Sequence, residues 1–207
     1  MHARELFSSS SIPGTEAPRR ALFVGRNGAL LIGAHAAAPE RVDRALFSDA
    51  ALGLLFRATQ AGWNLYLIGN EESVAHGRVP EASWQRFEAE LMAHLASLGV
   101  PVKRNYACLD HPRGKGKHRR DSVFLVPNSG ALYHAAQEDG IELAHSWIIA
   151  QRTSELAAGW RAGCRTAAVG ASDDDRGDEL AVEPDLRAGD LLHALSEILG
   201  SDVNVRR

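Results

Sequence analysis

Cysteine is scarce in this sequence. Cys108 and Cys164 are the only two, they stand far apart, and they have no Cys-x-x-Cys spacing. That excludes a disulfide framework and a complete cysteine zinc site, and it suits a reducing cytoplasm. Long apolar runs are missing as well: no stretch reaches the roughly 18 apolar residues of a membrane span. The opening MHARELFSSSSIPGTEAPRR lacks the apolar segment of an export signal. Nor is there a surplus of one charge sign, the formal net charge being -3 and the isoelectric point about 6.3. Bulk charge therefore draws the chain neither to nucleic acid nor to an anionic membrane.

What is present is enough apolar material for one domain, 45% of 207 residues. Residues 1–20 are rich in Ser, Pro and Arg without apolar periodicity and read as a flexible arm. The domain proper is expected over 21–200, with 201–207 as a tail. Short apolar runs at 21–25, 65–69, 102–108, 146–150 and 166–170 predict strands. Amphipathic patterns predict helices at 49–61, 81–98, 130–139, 154–162 and 188–199, several closed by Gly62, Gly99, Gly140, Gly163 and Gly200. Such alternation predicts a Rossmann-like three-layer α/β/α sandwich with a mostly parallel sheet and little or no cap domain. The acidic stretch 172–179 reads as a solvated loop before a short last strand and helix. Ligands of such folds bind beyond the carboxyl ends of the strands, so Gly25 to Gly28, Gly69 to Ser73 and Ala150 to Glu155 are the positions that matter.

The segments ALFVGRNGALL (21–31), WNLYLIGNEESVAHG (63–77), CLDHP (108–112), PNSGALYHAAQEDGIEL (127–143) and SWIIAQRTSELAAGWRAGCRT (146–166) resemble the haloacid dehalogenase superfamily. Within it they are most similar to the small phosphatases of heptose bisphosphate and histidinol phosphate. The resemblance implies a first motif, Asp-x-Asp-Gly-Thr, whose first Asp attacks phosphorus and whose second moves the proton. Gly25 and Asn27 stand at those positions. It implies a hydroxyl followed by Asn after the second strand, where Gly69 and Asn70 stand, and a lysine where Val126 stands. It implies acidic metal ligands after the fourth strand, where Ala150 and Gln151 stand, with Glu155 the only retained acidic position.

A glycine cannot attack, an amide cannot shuttle a proton near neutral pH, and magnesium wants carboxylates. No cofactor is therefore expected, and weak magnesium binding at most. The family's zinc loop, Cys-x-His followed by Cys-x-Cys, falls on Cys108, Asp110, Ser122 and Phe124, so zinc is not expected either.

The remaining polar residues near the strand ends suit an anion: Arg26, Asn27, Asn70 and Arg152, with Lys115, Lys117 and Arg119 from the run RGKGKHRR (113–120). That run also reads as a mobile solvated loop, and it lacks the interleaved aromatics of a nucleic-acid surface. The histidines show no metal-ligand spacing. The four tryptophans read as core, and Ser129 as a helix N-cap.

These features point away from an enzyme. They predict a cytoplasmic, catalytically inactive phosphatase-like protein that binds a phosphorylated sugar-type small molecule or a pathway enzyme in a regulatory or scaffolding role. The alternative is an active sugar-phosphate or histidinol-phosphate phosphatase with an unorthodox site, water being activated by Glu155 or a loop histidine.

Overall fold

The computed structural model describes residues 18–33, 41–170 and 182–205. Six parallel strands form one sheet in the order β3-β2-β1-β4-β5-β6: β1 Ala21–Gly25, β2 Asn64–Asn70, β3 Val102–Cys108, β4 Trp147–Ala150, β5 Arg165–Val169 and β6 Leu186–Ala188. The helices are α1 Asp49–Gln60, α2 Glu72–Ala75, α3 Glu81–Ser97, α4 Gly130–Asp139, α5 Thr153–Arg161 and α6 Leu191–Val205. Residues 1–17 of the expected arm (1–20) and the acidic stretch 172–179 lie outside the described residues.

Both faces of the sheet are covered, because successive strand residues point to opposite sides. Leu22, Val24, Leu65, Leu67 and Ile149 pack with Leu55, Leu91 and Leu195 of α1, α3 and α6. Ala21, Phe23, Tyr66, Ile68 and Ile148 pack with Leu132, Ala135 and Leu156 of α4 and α5. Strands buried on both faces read as unbroken apolar runs, which is why ALFVG and LYLI stand out in the sequence.

Three tryptophans join this core, Trp63, Trp84 and Trp147, but Trp160 is 63% exposed and corrects the reading of all four as core. It lies on the outer side of α5, away from the strip that meets β4. Gly99 (φ 73°) and Gly140 (φ 66°) close α3 and α4 in the left-handed conformation that glycine adopts without a Cβ penalty. Gly200 does not close α6. The helix continues to Val205, past the expected tail boundary, since an isolated glycine is tolerated inside a helix at a cost of about 1 kcal/mol.

Chain order reverses at β1, whose neighbours are β2 on one side and β4 on the other. The crevice above such a switch point is where open α/β sheets place ligands. Here it is bounded by the turn after Gly25 and the turn after Ala150.

Candidate functional site

The turn after β1 is fixed by its own backbone. Leu30 N–H donates to Gly25 O (3.0 Å), Leu31 N–H to Arg26 O (2.9 Å) and Gly28 N–H to Leu31 O (3.0 Å), while Arg26 N–H continues the ladder to Ile68 O (2.9 Å). Arg26 is the largest fully buried side chain, 0% exposed. Its Nη2 pairs with Glu71 Oε1, and its Nη1 donates to Asn105 Oδ1 (2.9 Å). The guanidinium carbon lies 4.7 Å from the centre of the Trp84 ring. Asn105 in turn donates to Glu88 Oε1 (2.8 Å), and Asn27 Nδ2 donates to Glu71 Oε1 (3.2 Å). Residues from β1, β2, β3 and α3 thus converge on one interior cation.

The fourth-strand side of the crevice supplies Glu155, 1% exposed. A Cβ placed on Gly25 would lie 2.6 Å from Glu155 Oε2 and 3.2 Å from the Ala150 Cβ. A Cβ on Gly69 would lie 3.0 Å from Glu155 Oε1 and 3.5 Å from Arg26 Nη2. Glu155 therefore fills the space beyond Gly25 where, by the resemblance, a nucleophilic aspartate side chain belongs. Gln151 closes the next position: its Oε1 would meet a Gly28 Cβ at 2.0 Å.

The anion-binding set divides in the structure. Arg26 and Asn27 point inward, into the charged cluster. Asn70 braces the chain before Pro127, its Nδ2 donating to Val126 O (3.2 Å) and its Oδ1 accepting from Val126 N–H (3.0 Å). Arg152 holds the N-cap position of α5 and is half-buried at the rim.

The basic loop is tied down along its length. Lys115 N–H donates to Ala75 O (2.8 Å), Lys117 pairs with Glu81, and residues 116–118 form a 3-10 turn. Lys115 and Arg119 keep exposed side chains. Beside the rim a cavity of about 420 Å³ opens among Gly28, Ser48, Gln151, Gly170 and Asp190. Ser129 sits at the N-cap position of α4, yet its hydroxyl donates to Ala158 O (2.7 Å) and so binds α4 to α5 instead of capping.

At the zinc-loop positions, Asp110 accepts from Arg120 Nε (2.8 Å) and contacts His118 Nδ1 (3.2 Å), while His118 Nε2 lies 3.3 Å from Glu81 Oε2. Ion pairs thus hold this segment. Burial raises the Cys108 thiol above its usual range and pushes Cys164 up to about 12. Since the thiolate is the reactive form, Cys164 offers roughly one thiolate in 10⁴ molecules at pH 8. Neither thiol of the native protein should react with an aromatic disulfide reagent at that pH, whereas the unfolded chain should release two equivalents. Stoichiometric labelling of the native protein would contradict the burial of both.

Metal chemistry finds a poor donor set. Of the positions that the resemblance assigns to acidic ligands only Glu155 carries a carboxylate, and Glu71 is committed to Arg26. Among the described residues no group of three or more His, Cys, Asp or Glu side chains is arranged to hold a metal ion. The site does not fit magnesium.

Sequence reading missed the partners of Arg26. The available signal was a lone arginine directly after a wholly buried strand, with Glu71 directly after the neighbouring one.

A parallel sheet in the order 3-2-1-4-5-6, with its crevice between the first and fourth strands, is the fold of the haloacid dehalogenase-like phosphatase structures on which this chain superposes. Its curated relatives are D-glycero-D-manno-heptose-1,7-bisphosphate 7-phosphatases. That of Pasteurella multocida is 28% identical over 141 residues, 68% of this chain and 76% of the relative. That of Haemophilus ducreyi is 23% identical over 182 residues, 87% of this chain and 97% of the relative.

Among solved structures, the D,D-heptose 1,7-bisphosphate phosphatase from B. bronchiseptica, complexed with magnesium and phosphate, superposes with a TM-score of 0.67. It is 19% identical and the match covers 88% of this chain and 99% of that one. A Mesorhizobium loti protein likened to HAD phosphatases gives a TM-score of 0.70 at 24% identity, covering 89% and 88%. No family model matches the chain.

Proposed function

We propose that this chain is a phosphatase-like protein that works by binding rather than by hydrolysis. Its ligand is a phosphorylated sugar-type molecule, or its partner an enzyme of the same pathway, and its role is regulatory or scaffolding. The observation that carries this reading is the Glu155 carboxylate in the space beyond Gly25. Phosphoryl transfer in this fold, as the resemblance has it, needs a nucleophile there. A second carboxylate cannot share that space, and the glycine offers none. Loss of a nucleophile removes about 10⁴–10⁶ of the rate in hydrolases whose residues act as a unit.

The basic groups that support an anionic ligand are Arg152, half-buried at the start of α5, and the exposed Lys115 and Arg119 of the basic loop, and a cavity opens beside Gly28 and Gln151. Two buried free thiols suit a reducing cytoplasm. Among the described residues no helix is long and apolar enough to cross a membrane.

The rival reading, an active sugar phosphatase with an unorthodox site, draws on the likeness to heptose bisphosphate phosphatases, which spans 97% of the one from Haemophilus ducreyi and 76% of the one from Pasteurella multocida. One experiment separates the two. Purified protein is mixed with heptose 1,7-bisphosphate, hexose phosphates or histidinol phosphate, with magnesium, and both phosphate release and melting temperature are followed. Binding without hydrolysis raises the melting temperature with one of these compounds and leaves phosphate at the level of the blank. Magnesium-dependent release at an enzymatic rate, abolished by Glu155→Gln, would overturn the proposal.

A further inference from the structure

The B. bronchiseptica relative holds magnesium, whereas the donor set here does not fit that ion. The group that stands between the strand ends of this chain is itself a cation. We infer that Arg26 is the resident cation of the crevice: its guanidinium neutralises the buried carboxylates that a metal ion would otherwise have to balance, and the folded chain needs no divalent ion there.

Burial, partners and glycine positions argue for this together. Arg26 and the carboxylates of Glu71 and Glu155 are all but excluded from solvent, at 0%, 1% and 1% exposure. Charges this deep persist only when opposite charge is close, because leaving water is otherwise prohibitive. The guanidinium meets Glu71 on one nitrogen and Asn105 on the other, with the Trp84 ring against its face, a combination that suits its planar fork and that an ammonium would not match.

Glycine at 69 is what allows the approach. A Cβ there would stand 3.0 Å from Glu155 Oε1, 3.5 Å from Arg26 Nη2 and 3.8 Å from Arg26 Cζ, so cation and carboxylate flank one bare backbone position. Glycine at 25 admits the other oxygen of Glu155 in the same way, with 2.6 Å to a would-be Cβ. Gly25, Arg26, Gly69 and Glu155 are therefore a single coupled arrangement. Asn27 Oδ1 and Glu71 Oε2 have no hydrogen-bond partner among the described residues. Removal of the guanidinium thus leaves acceptor oxygens around a cation-sized space.

This inference goes beyond the binding function, and melting temperature tests it without reference to activity. Wild-type protein should melt at the same temperature in EDTA and in millimolar magnesium. Arg26→Ala should melt roughly 10 °C lower, as follows from breaking a buried pair in a chain of this size. It should regain part of that loss in millimolar guanidinium chloride but not in sodium chloride of equal strength.

If Arg26→Ala does not fold, Arg26→Met carries the test. Combined with Glu71→Gln it should melt higher than alone, because the counter-charge leaves with the charge. Stabilisation of the wild type by magnesium, or an Arg26→Ala protein as stable as wild type, would overturn the inference. So would failure of Glu71→Gln to relieve Arg26→Met. Phosphate release by the wild type would sink the binding reading and leave this one to the melting data.

Discussion

Gly25→Asp should destabilise the protein by about 3–5 kcal/mol, and the loss should be relieved by shortening Glu155. The substitution places a carboxylate in a buried position where even the first added atom lies 2.6 Å from Glu155 Oε2 and 3.2 Å from Ala150. Crowding alone costs about 1–3 kcal/mol, as Gly25→Ala would show. A second buried negative charge beside the first brings the loss to the range of an uncompensated buried ion.

Urea unfolding of Gly25→Asp, Glu155→Ala and the double variant measures the coupling. The double variant should be clearly more stable than the sum of the single losses predicts. Simple additivity, or a Gly25→Asp protein within 1 kcal/mol of wild type, would show that Glu155 does not occupy the nucleophile's space.

The same geometry bears on whether the acidic and basic groups that the resemblance implies can be introduced. Adding Gly25→Asp, Asn27→Asp, Val126→Lys and Gln151→Asp inserts acidic and basic groups into a crevice already filled by Arg26 and Glu155. Magnesium-dependent phosphate release is expected only when those two are cleared as well, since restored groups need room and support to act.

The fold was legible because its signal is local. The runs at 21–25 and 102–108 coincide with β1 and β3, and the others fall within a residue or so of β2, β4 and β5. Burial on both faces had made those of β1, β2 and β4 continuous, whereas the edge strand β3 is only partly buried and mixes polar with apolar residues. The short α2, Glu72–Ala75, escaped notice because four residues carry no helical periodicity.

The site was legible only as vacancies. That Gly25 and Gly69 carry no functional group follows from the sequence. That these vacancies are filled does not, because alternation of facing ends with the strand, and an arginine there can turn either way. Its direction is decided by Glu71 and Asn105, 45 and 79 residues away. Contacts so distant in sequence leave no periodic trace. Lys117 shows the same limit: a basic run suggests an open anion clamp, and Glu81, on another element, holds that lysine.

Asn70→Ala should cost about 2–3 kcal/mol of stability, which decides between two roles for a residue that the resemblance places among phosphate-binding groups. In the structure its amide forms a two-way bond with the backbone of Val126, donating to the carbonyl and accepting from the N–H. Val126 is 2% exposed, so alanine at 70 leaves a buried donor and a buried acceptor unpaired. Each such loss costs about 1–3 kcal/mol, partly recovered when water enters.

Asn70→Asp should be no better: it keeps the acceptor for Val126 N–H but sets a second oxygen against Val126 O, where the amide had donated. A residue whose work is to touch ligand would behave otherwise, its alanine variant unfolding at the wild-type urea concentration and losing only ligand-induced stabilisation. A lowered unfolding midpoint in the absence of any ligand makes Asn70 a brace between the second strand and the segment leading into α4. It then leaves Arg152 and the exposed lysine and arginine of the basic loop as the groups proposed to meet an anion.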